Sequence, residues 1–152
     1  MDFSESPDGR CESLDPALLP PLFIGWRRDA AEHSGAVHAE LRERHREGDR
    51  ETLAALAEAA ELAAEGRRAL LAGRSSELAG LMSANVAVRA RLVELDPRHL
   101  RLIELAAELG AGANYAGSGG AIVGVVPAAE TIEGLRSAFA AEGCELCAAT
   151  AL

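Results

Sequence analysis

Residues 113–126 read ANYAGSGGAIVGVV, with two runs of small and β-branched residues on either side of a glycine-rich segment. The two runs cover residues 113–116 and 121–126, and the segment between them is Gly117-Ser118-Gly119-Gly120. Short apolar runs that flank such a segment are typical of two strands joined by a turn. The pattern therefore predicts a β-hairpin in the last third of the sequence.

The region before this hairpin has apolar residues at helical spacing, interrupted by capping residues and glycines. Four helices are predicted there, and their first or capping residues are residue 35, Asp49, Ser75 or Ser76, and Asp96. They are expected to end before Gly48, at Leu71, near residue 95 and at Gly110. Pro97 fits the first position of the fourth helix because that position needs no backbone N–H.

The remaining elements come from the two ends of the sequence. The run Leu22-Phe23-Ile24-Gly25-Trp26 predicts a buried strand, and the stretches 131–141 and 144–148 predict a helix and a final strand. The order is then strand, helices, two strands, helix, strand. This order predicts an α+β domain with an antiparallel sheet and helices packed on one face.

Composition excludes several classes of function. The chain has 152 residues, which suffice for one hydrophobic core, and a formal net charge of −9. That charge argues against binding to nucleic acid and to an anionic membrane surface. All 15 basic residues are arginine, and a chain without lysine has no Walker A loop.

The cysteines and histidines indicate no metal site and no disulfide framework. Cys11, Cys144 and Cys147 are an odd and sparse set, which favours a reducing cytoplasm. Cys144 and Cys147 fall on a predicted strand where alternation places their thiols on opposite faces, so core packing is the favoured interpretation. The four histidines lack the spacing of zinc ligands.

The glycine cluster at 117–120 permits two interpretations. Glycine lets a backbone adopt positive φ and approach a ligand closely, so the segment fits a phosphate- or substrate-binding loop. It also fits an ordinary hairpin turn. It is not a dinucleotide-binding fingerprint, because Ile122 stands where the third glycine would be and the loop leads into a strand.

Two longer stretches resemble the C-terminal signature of GHMP kinases. Leu81-Met82-Ser83-Ala84-Asn85 is similar to the first part of that signature, and residues 109–121, LGAGANYAGSGGA, are similar to the second. The glucuronokinase-like branch is similar in further segments, which are Leu19-Pro20-Pro21-Leu22, Ser34-Gly35 with Val37-His38, and Gly117 to Val123. The chain departs from the family at Asn114 and Ala116, where Lys and Thr are frequent.

The resemblance implies a ferredoxin-like GHMP kinase C-terminal domain over residues 16–152. Residues 1–15 would be a polar remnant of an upstream kinase half. In this family, ATP and Mg²⁺ are held mainly by the N-terminal half, which also supplies the acidic residue that orients the acceptor hydroxyl. We find no Gly- and Ser-rich phosphate loop of that type in this sequence.

The resemblance also assigns candidate site residues. The phosphate or substrate loop would be formed by Gly117, Ser118, Gly119 and Gly120. Substrate-side candidates are Asn85, Arg89, Asn114, Ser34 and His38. No catalytic and no metal-ligating residue is assigned. Asn85 falls on the helical stripe of Leu81 and Leu92, which predicts that its amide faces inward. Asn85 then either forms a hydrogen bond between packed elements or contacts the substrate, and Arg89 is either an anion ligand or a solvated surface residue.

The expected function is that of the C-terminal, substrate-side half of an ATP-dependent sugar or uronic acid kinase, inactive without its N-terminal half. A non-catalytic metabolite- or protein-binding module derived from such a kinase is the alternative, and an unrelated helical scaffold is a third hypothesis. Expected partners are the N-terminal half, a sugar or uronic acid, and a second copy of the chain through the surface that the missing half would cover.

Overall fold

The computed structural model describes residues 11–27, 35–117 and 120–149, and of residues 35–38 it describes the helical backbone. The helices and strands in these ranges are, in chain order, β1 Leu22–Trp26, α1 Gly35–Arg46, α2 Arg50–Leu71, α3 Leu78–Leu92, α4 Pro97–Glu108, β2 Gly112–Tyr115, β3 Ala121–Val125, α5 Thr131–Ala141 and β4 Glu145–Ala149. Every predicted element is present, with ends shifted by a few residues. None of the described helices is both long and apolar enough to cross a membrane.

The four strands form one antiparallel sheet in the order β2-β3-β1-β4. The strand that comes first in the chain therefore lies between the two that come last. Phe23 in this central strand stands opposite Gly124 of β3 and Ala148 of β4. This order is that of a split β-α-β ferredoxin-like sheet, and the predicted α+β class with an antiparallel sheet is confirmed.

The hydrophobic core lies between the sheet and the pair α4 and α5. Phe23 and Phe139 meet there edge to face, with ring centroids 5.9 Å apart, and both are fully buried. A Cβ atom on Gly124 would lie 2.2 Å from the Phe23 ring, so the glycine leaves the space that this ring occupies. Alternation turns Ile24 to the opposite face, where 37% of its surface is exposed.

The helices α2 and α3 pack against each other, and α3 also lies along β2 at the edge of the sheet. Ala79 of α3 approaches Gly112 so closely that a Cβ atom on this glycine would lie 2.3 Å from the Ala79 Cα. Because α3 has neighbours on two sides, its apolar residues do not form one buried stripe. Val88 is fully buried, whereas Leu81 is only partly so.

Side-chain caps begin two of the helices as predicted. The Asp49 carboxylate accepts a hydrogen bond from the Thr52 N–H at 2.8 Å, and the Asp96 carboxylate accepts one from the Arg98 N–H at 2.8 Å. Both satisfy backbone donors that a helix start leaves without a partner in the helix.

The predicted serine cap of the third helix is wrong. Residues 75–77 form a 3₁₀ turn that runs directly into α3, and neither this turn nor α3 receives a side-chain cap. A nearby ion pair, from Arg74 Nε to Glu77 Oε1 at 2.8 Å, connects the two ends of the turn instead. The serines are therefore helical residues within the turn rather than the residues that precede it.

Candidate functional site

The hairpin turn joins the end of β2, which is an edge strand of the sheet, to the start of β3. The Ala116 N–H donates a hydrogen bond to the Ala121 carbonyl oxygen at 2.9 Å, which closes the turn. Gly117 and Gly120 have φ angles of 70° and 83°, and residues with a Cβ rarely adopt such values. The predicted turn is confirmed on both sides of its tip, while Ser118 and Gly119 lie outside the described residues.

Arg89 extends from α3 to this turn. Its Nη2 donates a hydrogen bond to the Gly117 carbonyl oxygen at 2.7 Å, and its guanidinium lies 4.9 Å from the centroid of the Tyr115 ring. The side chain is partly buried, and desolvation lowers the pKa of Arg89 while the electrostatic effect of Tyr115 opposes that shift. The guanidinium is thus held against the hairpin rather than free in solvent.

Asn85 lies one helical turn before Arg89 and contacts the same strand. The Asn114 side-chain amide donates a hydrogen bond to the Asn85 side-chain oxygen at 2.7 Å, and the Asn114 oxygen accepts one from the Tyr115 N–H at 2.7 Å. Both asparagines are partly buried, as the spacing of Asn85 predicted. The pair connects α3 to β2, which is the first of the two roles considered for Asn85.

Tyr115 and His99 belong to the same group of residues, although neither was a predicted site residue. The Tyr115 hydroxyl donates a hydrogen bond to the Asp96 carbonyl oxygen at 3.3 Å. The His99 ring packs edge to face on the Tyr115 ring, with centroids 5.6 Å apart, and is fully buried. Helical spacing to Leu102 and Ala106 would have placed His99 on the buried face of α4, and strand alternation would have turned Tyr115 away from Asn114.

Four of the predicted site residues thus come together at the β2–β3 hairpin, and they are Asn85, Arg89, Asn114 and Gly117. Gly120 completes the described part of the turn. Ser34 lies outside the described residues, and only the helical backbone of His38, in α1, is described. The structure therefore does not relate these last two residues to the hairpin.

The chemistry of the described residues is that of hydrogen bonding and positive charge. They include no group of three or more His, Cys, Asp or Glu side chains that could hold a metal ion. Cys144 lies just before β4 and is buried in the core, whereas Cys147 in β4 is exposed. The predicted opposite orientations are confirmed, and the predicted core packing holds for Cys144 but is wrong for Cys147. A surface groove of about 490 Å³ lies elsewhere, between α1 and the end of α3, and includes Arg44 and Arg91 in its lining.

Two curated relatives match most of the chain. Glucuronokinase 1 of Arabidopsis thaliana is 35% identical over 135 residues, which cover 84% of this chain and 37% of that protein. Probable glucuronokinase 2 of Arabidopsis thaliana is 38% identical over 117 residues, which cover 75% of this chain and 32% of that protein. The chain therefore spans about a third of the length of these relatives. No family model matches the sequence.

Solved structures share the fold at low sequence identity. The Lin0012 protein from Listeria innocua has a TM-score of 0.79 at 16% identity and covers 88% of this chain, which covers 40% of that one. The L. major mevalonate kinase, solved with R-mevalonate, has a TM-score of 0.73 at 15% identity, with 80% and 38% covered. The Streptococcus pneumoniae phosphomevalonate kinase has a TM-score of 0.73 at 21% identity, with 88% and 41% covered.

These identities by themselves establish a common fold only, and the relationship rests on the sequence match to the glucuronokinases. The predicted signature segments and the antiparallel sheet agree with it. The chain is a C-terminal domain of the GHMP kinase family, related in sequence to the glucuronokinases.

Proposed function

We propose that this chain is the substrate-side part of an ATP-dependent kinase for a sugar or uronic acid, and that it transfers phosphate only together with an N-terminal ATP-binding part. The observation that carries the proposal is the match of 84% of the chain to 37% of a glucuronokinase. In this proposal residues 16–152 form the domain, and residues 1–15 are a remnant of the preceding part.

The described residues do not fit a complete site for ATP and Mg²⁺. Phosphoryl transfer needs a loop whose N–H groups hold phosphates, carboxylates that hold Mg²⁺, and a residue that orients the acceptor hydroxyl. The described glycine turn leads into a strand, and no three metal-ligating side chains converge in the described ranges. We therefore assign the nucleotide and the metal ion to the N-terminal part.

The hairpin end of the sheet supplies chemistry suited to a sugar. The amides of Asn85 and Asn114 each offer donors and an acceptor, which match hydroxyl groups. Arg89, the third candidate, places its guanidinium at the turn, where Nη2 donates a hydrogen bond to the Gly117 carbonyl oxygen. The proposed substrate side consists of Asn85, Asn114 and the turn 117–120, with Arg89 as the residue that contacts the turn from α3, and Ser34 and His38 remain proposed members of it.

Two further proposals concern the cellular compartment of the chain and its self-association. The odd and sparse set of three cysteines supports a reducing compartment such as the cytoplasm. We also propose that the isolated chain self-associates through the surface that the N-terminal part would cover.

A substrate panel tests the proposed function. The chain is fused in place of the matching segment of Arabidopsis thaliana Glucuronokinase 1, and ADP release is measured with neutral sugars and uronic acids. We expect activity with at least one sugar or uronic acid and none with the isolated chain. A fusion that unfolds cooperatively on heating but phosphorylates no compound would contradict the kinase proposal and favour the non-catalytic binding module.

A further inference from the structure

We propose that Arg89 is a positioning residue, which fixes the conformation of the glycine turn by holding Gly117 and does not bind the substrate itself. As far as catalysis is concerned, this inference rests on the proposed function. The structural part of the inference, that the conformation of the turn depends on Arg89, does not depend on any kinase activity.

The guanidinium contacts the hairpin at two successive places. It lies over the ring of Tyr115, the last residue of β2, at 4.9 Å from the centroid. It also donates to the carbonyl oxygen of Gly117, the first glycine of the turn, at 2.7 Å. Two contacts of different kind fix both the position and the plane of the group, and the turn is thereby attached to α3.

In the described part of the chain, Arg89 forms no ion pair. Among the described residues no carboxylate lies within ion-pair distance of it, whereas Arg91 on the same helix pairs with Glu58 at 2.6 Å. The Arg89 Nε is buried and has no hydrogen-bond acceptor in the described ranges. Desolvating a cation without a carboxylate partner is unfavourable, so its contacts to the carbonyl oxygen and the ring must offset that cost.

The second attachment of α3 to the hairpin lies one helical turn earlier. Asn85 and Asn114 join the helix to the middle of β2 at 2.7 Å. Among the described α3 side chains, Arg89 is the one that donates a hydrogen bond to the turn itself. Without it, the described hydrogen bond that remains at the turn is the one from Ala116 to Ala121. Loss of Arg89 should therefore loosen the turn and leave the strands paired.

Arginine and lysine should differ at this position. A planar guanidinium can stack on a ring and donate in its own plane at once, whereas an ammonium offers no plane to stack. Arg89→Lys should therefore restore only part of the effect of Arg89→Gln. Arg91→Gln is the matched control, since it removes the same charge two residues further along the same helix and breaks an exposed ion pair.

Amide hydrogen exchange in this chain tests the structural half. We expect Arg89→Gln to speed exchange of the Ala116 amide about 10-fold or more, with helix α5 unchanged, because local opening of the turn becomes easier. Arg89→Lys should lie between, and Arg91→Gln should match the unaltered chain. Equal exchange of the Ala116 amide in all four proteins would overturn the inference, and so would a uniform rise across the whole chain.

Steady-state kinetics of the glucuronokinase fusion test the catalytic half. Arg89→Gln should lower kcat about 10- to 100-fold with little change in KM for the sugar, because a displaced loop misaligns the reacting groups. A rise in KM confined to uronic acids would instead identify Arg89 as a ligand of the substrate carboxylate and overturn the positioning role. If the unaltered fusion is inactive, the proposed function fails, and the exchange measurement still decides whether Arg89 holds the turn.

Discussion

Single residues of α3 determine how this helix is attached to the hairpin. Asn85 and Arg89 are four positions apart and therefore point in similar directions from the helix. One meets a side chain in the middle of β2, and the other meets a backbone carbonyl at the turn. Partly buried polar groups of this kind stabilise the structure only while both partners remain, because an unpaired one keeps its desolvation cost.

The asparagine pair can be tested by a double-mutant cycle. We expect Asn85→Ala and Asn114→Ala each to lower the free energy of unfolding by about 0.5–1.5 kcal/mol. The double variant should lose less than the sum, by about 0.5 kcal/mol or more, because either substitution already breaks the shared hydrogen bond. Urea denaturation measures all four proteins. Strictly additive losses would show that the two amides do not stabilise each other.

Residue roles at this site were predictable in part. The spacing of Asn85 relative to Leu81 and Leu92 placed its amide inward, as the structure has it. Its partner Asn114 lies 29 positions away in sequence, so the periodicity of one helix contains no information about that contact. The same holds for Arg89, whose acceptor is a backbone atom and therefore has no side-chain signal at all.

At the scale of elements, local signals account for the helices and turns. Asp49, Asp96 and the positive-φ glycines mark boundaries through short-range geometry, and these predictions are confirmed. Ser75 and Ser76 do not cap α3 because both lie inside the 3₁₀ turn that runs directly into it. Where α3 packs depends on Gly112, which is distant in sequence and has no local signature.

The packing of α3 on β2 should depend on the glycine at their contact. A Cβ atom on Gly112 would lie 2.3 Å from the backbone of Ala79, so helix or strand must shift. We expect Gly112→Ala to lower the free energy of unfolding by about 1–3 kcal/mol. Thermal and urea unfolding followed by circular dichroism measure the effect.

Gly80 provides the opposite control for this substitution. It lies in α3 next to Ala79, and a Cβ atom there would meet nothing within 4 Å. Because alanine favours a helix over glycine, Gly80→Ala should raise stability by about 0.5–1 kcal/mol. Two alanine variants with effects of the same sign would contradict the packing described for α3 and β2.

The cap of α4 makes stability depend on pH. The Arg98 side chain and N–H donate to Asp96, and these hydrogen bonds hold the pKa of Asp96 at about 2. A carboxyl with a lowered pKa in the folded state stabilises the fold fully above its unfolded-state pKa. That contribution is lost as the pH falls towards the folded-state value.

Asp96→Asn isolates this charge, because the amide oxygen can still accept from the Arg98 N–H. We expect the variant to be less stable at pH 7 by roughly 2 kcal/mol. The difference should shrink steadily between pH 5 and pH 2.5. Urea unfolding at each pH provides the comparison, and a difference that stays constant over this range would refute the assigned pKa.

At the scale of the whole molecule, the four strands form one ferredoxin-like sheet that is covered by helices. The polar residues Asn85, Arg89 and Asn114 lie together at the β2–β3 hairpin on its edge. The sequence patterns predicted the element order, but not that β1 lies between β3 and β4, since pairing of distant strands has no local signal. That arrangement was expected only through the resemblance to GHMP kinases. The chain spans about a third of its glucuronokinase relatives, which is why we propose that its activity depends on a second part.

Complementation tests this dependence most directly. The segment of Glucuronokinase 1 that this chain does not match is produced separately, and transfer of the γ-phosphate of labelled ATP to glucuronate is measured while the chain is titrated into it. We predict that each component alone is inactive and that activity rises with added chain until it saturates. Phosphate transfer by the isolated chain, at a rate that the second component leaves unchanged, would contradict the account.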